Sequence, residues 1–112
     1  MAGRYTLRVT REGVAGKEHY DDLRAAVDAL EVEARAFANT ERRESAAGIM
    51  RTYEPDEIVA LRAEVSGRGV RAGIDVRGNG DAEAFTGRVT RRLIELERGE
   101  SPYDALRRVL GV

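Results

Sequence analysis

Two runs of strict alternation constrain this chain more than any other feature. Ile58-Val59-Ala60-Leu61-Arg62-Ala63-Glu64-Val65 and Val70-Arg71-Ala72-Gly73-Ile74-Asp75-Val76-Arg77 carry apolar residues at every second position, and Ser66-Gly67-Arg68-Gly69 separates them. Side chains on a strand point alternately to opposite faces, so this period of two is the mark of strands with one buried face. Glycine-rich turn chemistry between two such runs makes them a β-hairpin. Val59, Leu61, Ala63 and Val65 then face the core together with Val70, Ala72, Ile74 and Val76.

The same period opens the chain. Tyr5-Thr6-Leu7-Arg8-Val9-Thr10-Arg11 predicts a strand with Tyr5, Leu7 and Val9 inward, Glu12-Gly13 a turn, and Val14 to Tyr20 the partner strand, weakened by Gly16. The period then changes to that of a helix. Asp21 is placed to cap its first turn, and Leu23, Ala26, Val27, Leu30, Ala34 and Phe37 recur at spacings of three and four as far as about Ala38. Glu31 and Arg35 fall on its wet side in the favourable order for an i,i+4 pair. Between residues 39 and 56 the pattern dissolves. Two readings stand there, a continuation of the helix to Gly48 or a loop with a short extended piece from Ile49 to Tyr53 ahead of Pro55.

After Arg77, Gly78-Asn79-Gly80 ends the strand and Asp81 is positioned as the cap of a second helix with the stripe Phe85, Val89, Leu93 and Leu96, stopped by Gly99. Ser101-Pro102-Tyr103-Asp104 repeats the start signal as a capping box with proline at the first helical position, and a short helix runs from it to Leu110, with Gly111 as its stop. These readings add up to an α+β fold in a single domain spanning residues 1–112. Its expected core is a four-stranded, mainly antiparallel sheet made of two hairpin-plus-helix units, ββαββα with a short C-terminal helix, and the helices cover one face.

Composition narrows the chemistry. The 112 residues include no cysteine, which excludes disulfides, zinc–thiolate sites, iron–sulfur clusters and cysteine nucleophiles. No apolar run reaches the length of a membrane span and the start carries no signal-peptide core, so a soluble cytoplasmic protein without membrane contact is expected. The only histidine, His19, stands among Glu18, Asp21 and Asp22. A carboxylate-oriented general base is one reading of that group, and a polar strand residue leading into a helix start is the simpler one. Ser45, Ser66 and Ser101 lack any nucleophile-elbow context. Gly67 to Gly73 misplaces the third glycine of a dinucleotide fingerprint and opens a strand. Gly78-Asn79-Gly80-Asp81 already carries a carboxylate where a phosphate loop needs free amides. The segment from Asp75 to Thr86 has Arg77 where a calcium loop needs an oxygen ligand and Thr86 where it needs a bidentate glutamate. The expectation is a non-enzymatic chain with no metal or cofactor.

One bias remains. Of the 19 basic residues only Lys17 is lysine, against 20 acidic residues and a formal net charge of −1. Placed on period-two strands, the arginines concentrate on the sheet face away from the helices. Arg4, Arg8, Arg62, Arg71 and Arg77 share it with Glu64 and Asp75, while Tyr5 turns inward and leaves no aromatic there. Arginine is the cation best suited to protein interfaces, and a sheet edge or face is a natural pairing surface, so a protein-interaction or homo-oligomerisation module is expected. The alternative is a nucleic-acid binder holding phosphates on the arginine-rich sheet face, without stacking aromatics.

Overall fold

The structure, a computed structural model, describes residues 4–46, 59–87 and 90–112. Eight elements follow in the order β1 (Tyr5–Arg11), β2 (Val14–Tyr20), α1 (Leu23–Ala46), β3 (Val59–Gly67), β4 (Val70–Arg77), β5 (Ala82–Thr86), β6 (Arg92–Leu93) and α2 (Pro102–Leu110). The six strands form one sheet in the order β2-β1-β3-β4-β5-β6, and every neighbouring pair is antiparallel. The α+β class and the antiparallel sheet agree with the sequence reading. The strand number does not.

The difference lies at residues 81–96, where the expected helix is replaced by β5 and β6. Turn chemistry decides it. Asn79 and Asp81 close on each other, the Asp81 amide donating to Asn79 Oδ1 at 2.9 Å and Asn79 Nδ2 to Asp81 Oδ2 at 3.0 Å. The Arg77 amide donates to the Asp81 carbonyl at 2.8 Å, so the chain reverses into a hairpin and Asp81 has no helix to cap. Gly87, with φ at +128°, ends β5 where a helix interior would have to absorb it, at a cost of about 1 kcal/mol relative to alanine. The hairpin also gives Phe85 a tertiary slot. It pairs with Gly73, the one position of β4 without a side chain to displace the ring. Two Leu93 and Leu96 positions read as helix core are exposed instead. Val89 and the extended piece at 49–53 lie outside the described residues.

The core follows from register. Leu7 lies opposite Val65, Val9 and Ile74 opposite Ala63, and Ile74 opposite Ala84, so these side chains share one face. Ala26, Val27, Leu30, Ala34 and Ala38 of α1 and Tyr103 and Leu106 of α2 pack on that face in a single cluster. Both helices thus cover the same side. A bulge between Val59 and Leu61 makes one correction: Val59 pairs with Arg77 and turns away from the core, while Leu61 keeps its place opposite Val76.

The helix ends obey local rules. In α2 the Asp104 amide donates to Ser101 Oγ at 3.1 Å, the Ser101 amide donates back to Asp104 Oδ2 at 3.0 Å, and Gly111 adopts φ +74°. In α1 the cap falls one residue later than expected, the Arg24 amide donating to Asp22 Oδ1 at 2.8 Å. The helix continues to Ala46, which favours continuation over the loop reading for residues 39–46.

Arg107 ties the helices together. It donates to Asp28 at 2.7 Å and to Glu31 at 3.0 Å, and Arg35 joins Glu31 at 2.7 Å while its guanidinium lies 4.3 Å from the Tyr103 ring centre. Burial pushes the Glu31 carboxyl up, but the hydrogen bonds from Arg35 and Arg107 outweigh it and hold the group below its ordinary value of 4.5. A carboxylate depressed in the folded state contributes stability that is complete above its unfolded pKa and is lost as pH falls through the folded one. Glu31→Gln is therefore expected to be less stable by about 0.5–1 kcal/mol at neutral pH, and the gap should close below about pH 4. Urea melts of both proteins across that range check it; a gap independent of pH contradicts the role.

Candidate interaction surface

The sheet face opposite the helices resolves into transverse rows. Antiparallel register sets His19, Thr6, Ser66 and Arg71 in one row; Lys17, Arg8, Glu64, Gly73, Phe85 and Leu93 in the next; and Ala15, Thr10, Arg62, Asp75 and Glu83 in the third. Arg77 stands beyond them opposite Val59. Directly opposite side chains in such rows are about 5 Å apart at Cβ, so these rows are lists of neighbours.

Most of the arginines singled out in the sequence are engaged by acids. Arg62 Nε donates to Asp75 at 2.8 Å and lies 3.9 Å from Glu64; Arg71 reaches Glu64 at 3.4 Å; Arg77 reaches Glu83 at 3.1 Å. Arg91 makes a second pair with Asp75. The hydrogen bond to Asp75 raises the Arg62 pKa, against an opposing effect of burial. The structure brings Arg8, Arg62 and Arg71 into adjoining rows. Arg77 lies at the far end of β4, and Arg4 precedes β1 with its carbonyl against Gly67, whose backbone there takes φ +129°. Lys17, Arg91 and Glu83 belong to this face and were not among the residues expected on it.

The face also carries an aromatic, contrary to the expectation of none. Phe85 lies over Gly73, with the Arg91 guanidinium 4.1 Å and that of Arg62 5.9 Å from its ring centre. The two guanidiniums cover the ring, so Phe85 is buried and presents no surface on which a base could stack. Asp75 beneath them is only 5% exposed. This block of Phe85, Asp75, Arg62 and Arg91 is a sealed patch that holds β4, β5 and the approach to β6 together.

The β2 edge is different in kind. Every residue from Val14 to His19 is exposed, and Val14 is 74% exposed. Because α1 lies over β1, β3 and β4, the helix side of β2 is left open. A recess of about 400 Å³ there is lined by Leu7, Val9, Val14 and Gly16, with Arg11 and Glu33 bridging its far wall at 2.9 Å. Lys17 and Glu18 also line it, and Glu18 accepts from the Tyr20 hydroxyl at 2.5 Å, a bond that raises the phenol pKa. The opposite edge of the sheet is blunted, since β6 has only two residues.

His19 stands on the open face of β2, its Nδ1 3.1 Å from Thr6 Oγ1. Asp21 and Asp22 lie beyond the strand, and Asp22 serves the start of α1. Among the described residues no group of three or more His, Cys, Asp or Glu side chains converges in metal-binding geometry. No described helix is long and apolar enough to cross a membrane. Comparison with family models, with curated proteins and with solved structures finds no match to this chain.

Proposed function

We propose that this chain is a non-catalytic, cytoplasmic interaction module that self-associates by adding β2 of one copy to β2 of another. The observation that carries this reading is a seven-residue edge strand, exposed on both faces, running beside an apolar recess. Such an edge offers unpaired amides and carbonyls to any extended segment of matching length. Two-fold symmetry requires antiparallel pairing, and charge selects the register. Pairing centred on Lys17 opposes two ammonium groups, and pairing centred on Glu18 opposes two carboxylates. Pairing centred on Gly16 sets Lys17 against Ala15 and Glu18 against Val14 of the other copy, with no like charges directly opposed. Lys17 then acts as the residue that rejects other registers.

The nucleic-acid reading is less well supported because Arg62, Arg71 and Arg77 already meet carboxylates and Phe85 is covered.

Light scattering over about a hundredfold range of concentration tests the proposal, with dimer expected at the upper end and Val14→Asp shifting the equilibrium to monomer. A wild-type chain that stays monomeric throughout overturns it. Gly16 gives a second test. A Cβ at Gly16 meets no atom within 4 Å, so Gly16→Val is expected to stabilise the monomer by about 0.5–1 kcal/mol while filling the recess and weakening self-association. Stability and association should move in opposite directions.

A further inference from the structure

We infer that the recess between Arg8, Lys17 and Arg71 on the open sheet face is a binding site for a phosphate-class oxyanion. The inference is independent of β2 pairing, since the recess opens on a face and the pairing uses an edge. The recess has a volume of about 250 Å³ and is lined by Thr6, Arg8, Lys17, Glu64, Ser66 and Arg71.

Three observations converge on an anion. First, Arg8 and Lys17 are directly opposite in the β1–β2 register and point to the same face. Like charges so placed repel one another unless something negative lies between them. Second, the one carboxylate in reach is committed elsewhere. Glu64 lies opposite Arg8, yet its ion pairs run to Arg71 at 3.4 Å and Arg62 at 3.9 Å, and neither Arg8 nor Lys17 makes an ion pair with any described residue. Third, hydroxyl donors adjoin the cations. Thr6 and Ser66 are directly opposite in the neighbouring row, Arg71 is opposite Ser66, and the Thr6 hydroxyl is held by His19 at 3.1 Å.

Charge and shape point to phosphate. Arg8, Lys17 and Arg71 bring three positive charges and Glu64 one negative, which leaves two to be met by a dianion. A guanidinium fork, an ammonium and two hydroxyls present donors from several directions, as a tetrahedral group of oxygens requires and a planar carboxylate does not. The site is open to solvent, so binding is weak, with half-saturation by inorganic phosphate at about 1–10 mM.

Amide-detected NMR titration of the full chain with inorganic phosphate, at constant ionic strength and with chloride as the control salt, tests the site. Saturable shifts are expected at residues 6–8, 17–19, 64–66 and 71. Lys17→Gln and Arg8→Gln should each weaken binding at least fivefold, and Arg98→Gln, which removes the same charge from a distant exposed turn, should leave it unchanged. Glu64→Gln should tighten binding at least threefold, a gain that partial unfolding cannot imitate. Shifts that fail to saturate, that chloride reproduces, or that Arg98→Gln weakens as much as Lys17→Gln overturn the site. An oligothymidylate without terminal phosphates forms the second arm. If it binds at least tenfold more tightly than inorganic phosphate through the same residues, the site reads a nucleic-acid backbone; if it binds no more tightly, the site takes a free phosphate group.

Discussion

Gly73→Ala should destabilise the protein by roughly 3 kcal/mol, although alanine normally improves a strand interior over glycine by about 0.5–1 kcal/mol. The inversion comes from close approach on the open face. A Cβ at Gly73 would stand 2.1 Å from the carbonyl oxygen of Ala63 and 2.9 Å from Phe85 Cζ. The ring can swing away, but the carbonyl belongs to β3 at the centre of the sheet and cannot move without disturbing its ladder. Adding Phe85→Leu should therefore fail to rescue Gly73→Ala, because the closer obstacle is backbone. Chemical denaturation followed by circular dichroism reads both variants. A neutral Gly73→Ala would mean that the Ala63 carbonyl does not stand against Gly73, and the close approach of β3 to β4 at this position would be contradicted.

The second large effect is expected at Asp75, a carboxylate buried in the middle of β4. It accepts from Arg62 at 2.8 Å and from Arg91, and both guanidiniums rest on Phe85. Asp75→Asn keeps the shape, removes the charge, and turns an NH2 group toward one of the two guanidiniums. The cost should be about 2 kcal/mol, below the range for a fully buried pair because each arginine is more than a third exposed to water. Loss of the anchor should also release Arg91, so the amides of residues 90–94 should exchange faster with solvent than those of β1 and β3. An equal change in every strand would contradict the view that Asp75 acts locally to hold β6.

These two sites mark the limit of what is legible in the sequence. The β3–β4 hairpin, the β1–β2 hairpin, the body of α1 and the capping box of α2 are set by local chemistry, namely period, turn residues and caps, and each can be read without knowledge of the rest. The segment from Ala82 to Leu96 reads as a helix because its apolar spacing also fits one, and the competing signals are the Asn79-Gly80 turn and Gly87. Both are hairpin signals. The decisive fact, that Phe85 fills the space above Gly73, is tertiary and depends on register between strands. A glycine within a clean strand pattern was the trace it left.

The open-face arginines show the same division. Alternation put Arg8, Arg62, Arg71 and Arg77 on one side, but it does not say which of them meet carboxylates. Cross-strand pairing does, and it separates the engaged Arg62, Arg71 and Arg77 from Arg8 beside Lys17. The exposure of β2 was hidden for a different reason. Whether a strand is an edge depends on the whole sheet order, and the placement of α1 over β1, β3 and β4 follows from packing beyond the strand's own residues.

Hydrogen exchange along β2, measured as a function of protein concentration, tests the central claim most directly. One strand edge faces β1 and the other faces outward, so alternate amides of residues 14–20 are hydrogen-bonded in the monomer and the rest are open to water. Pairing of two copies through this edge predicts that the outward amides gain protection as concentration rises, and that Val14→Asp abolishes the gain without altering protection in β3 and β4. Outward amides that stay unprotected at every concentration would contradict it.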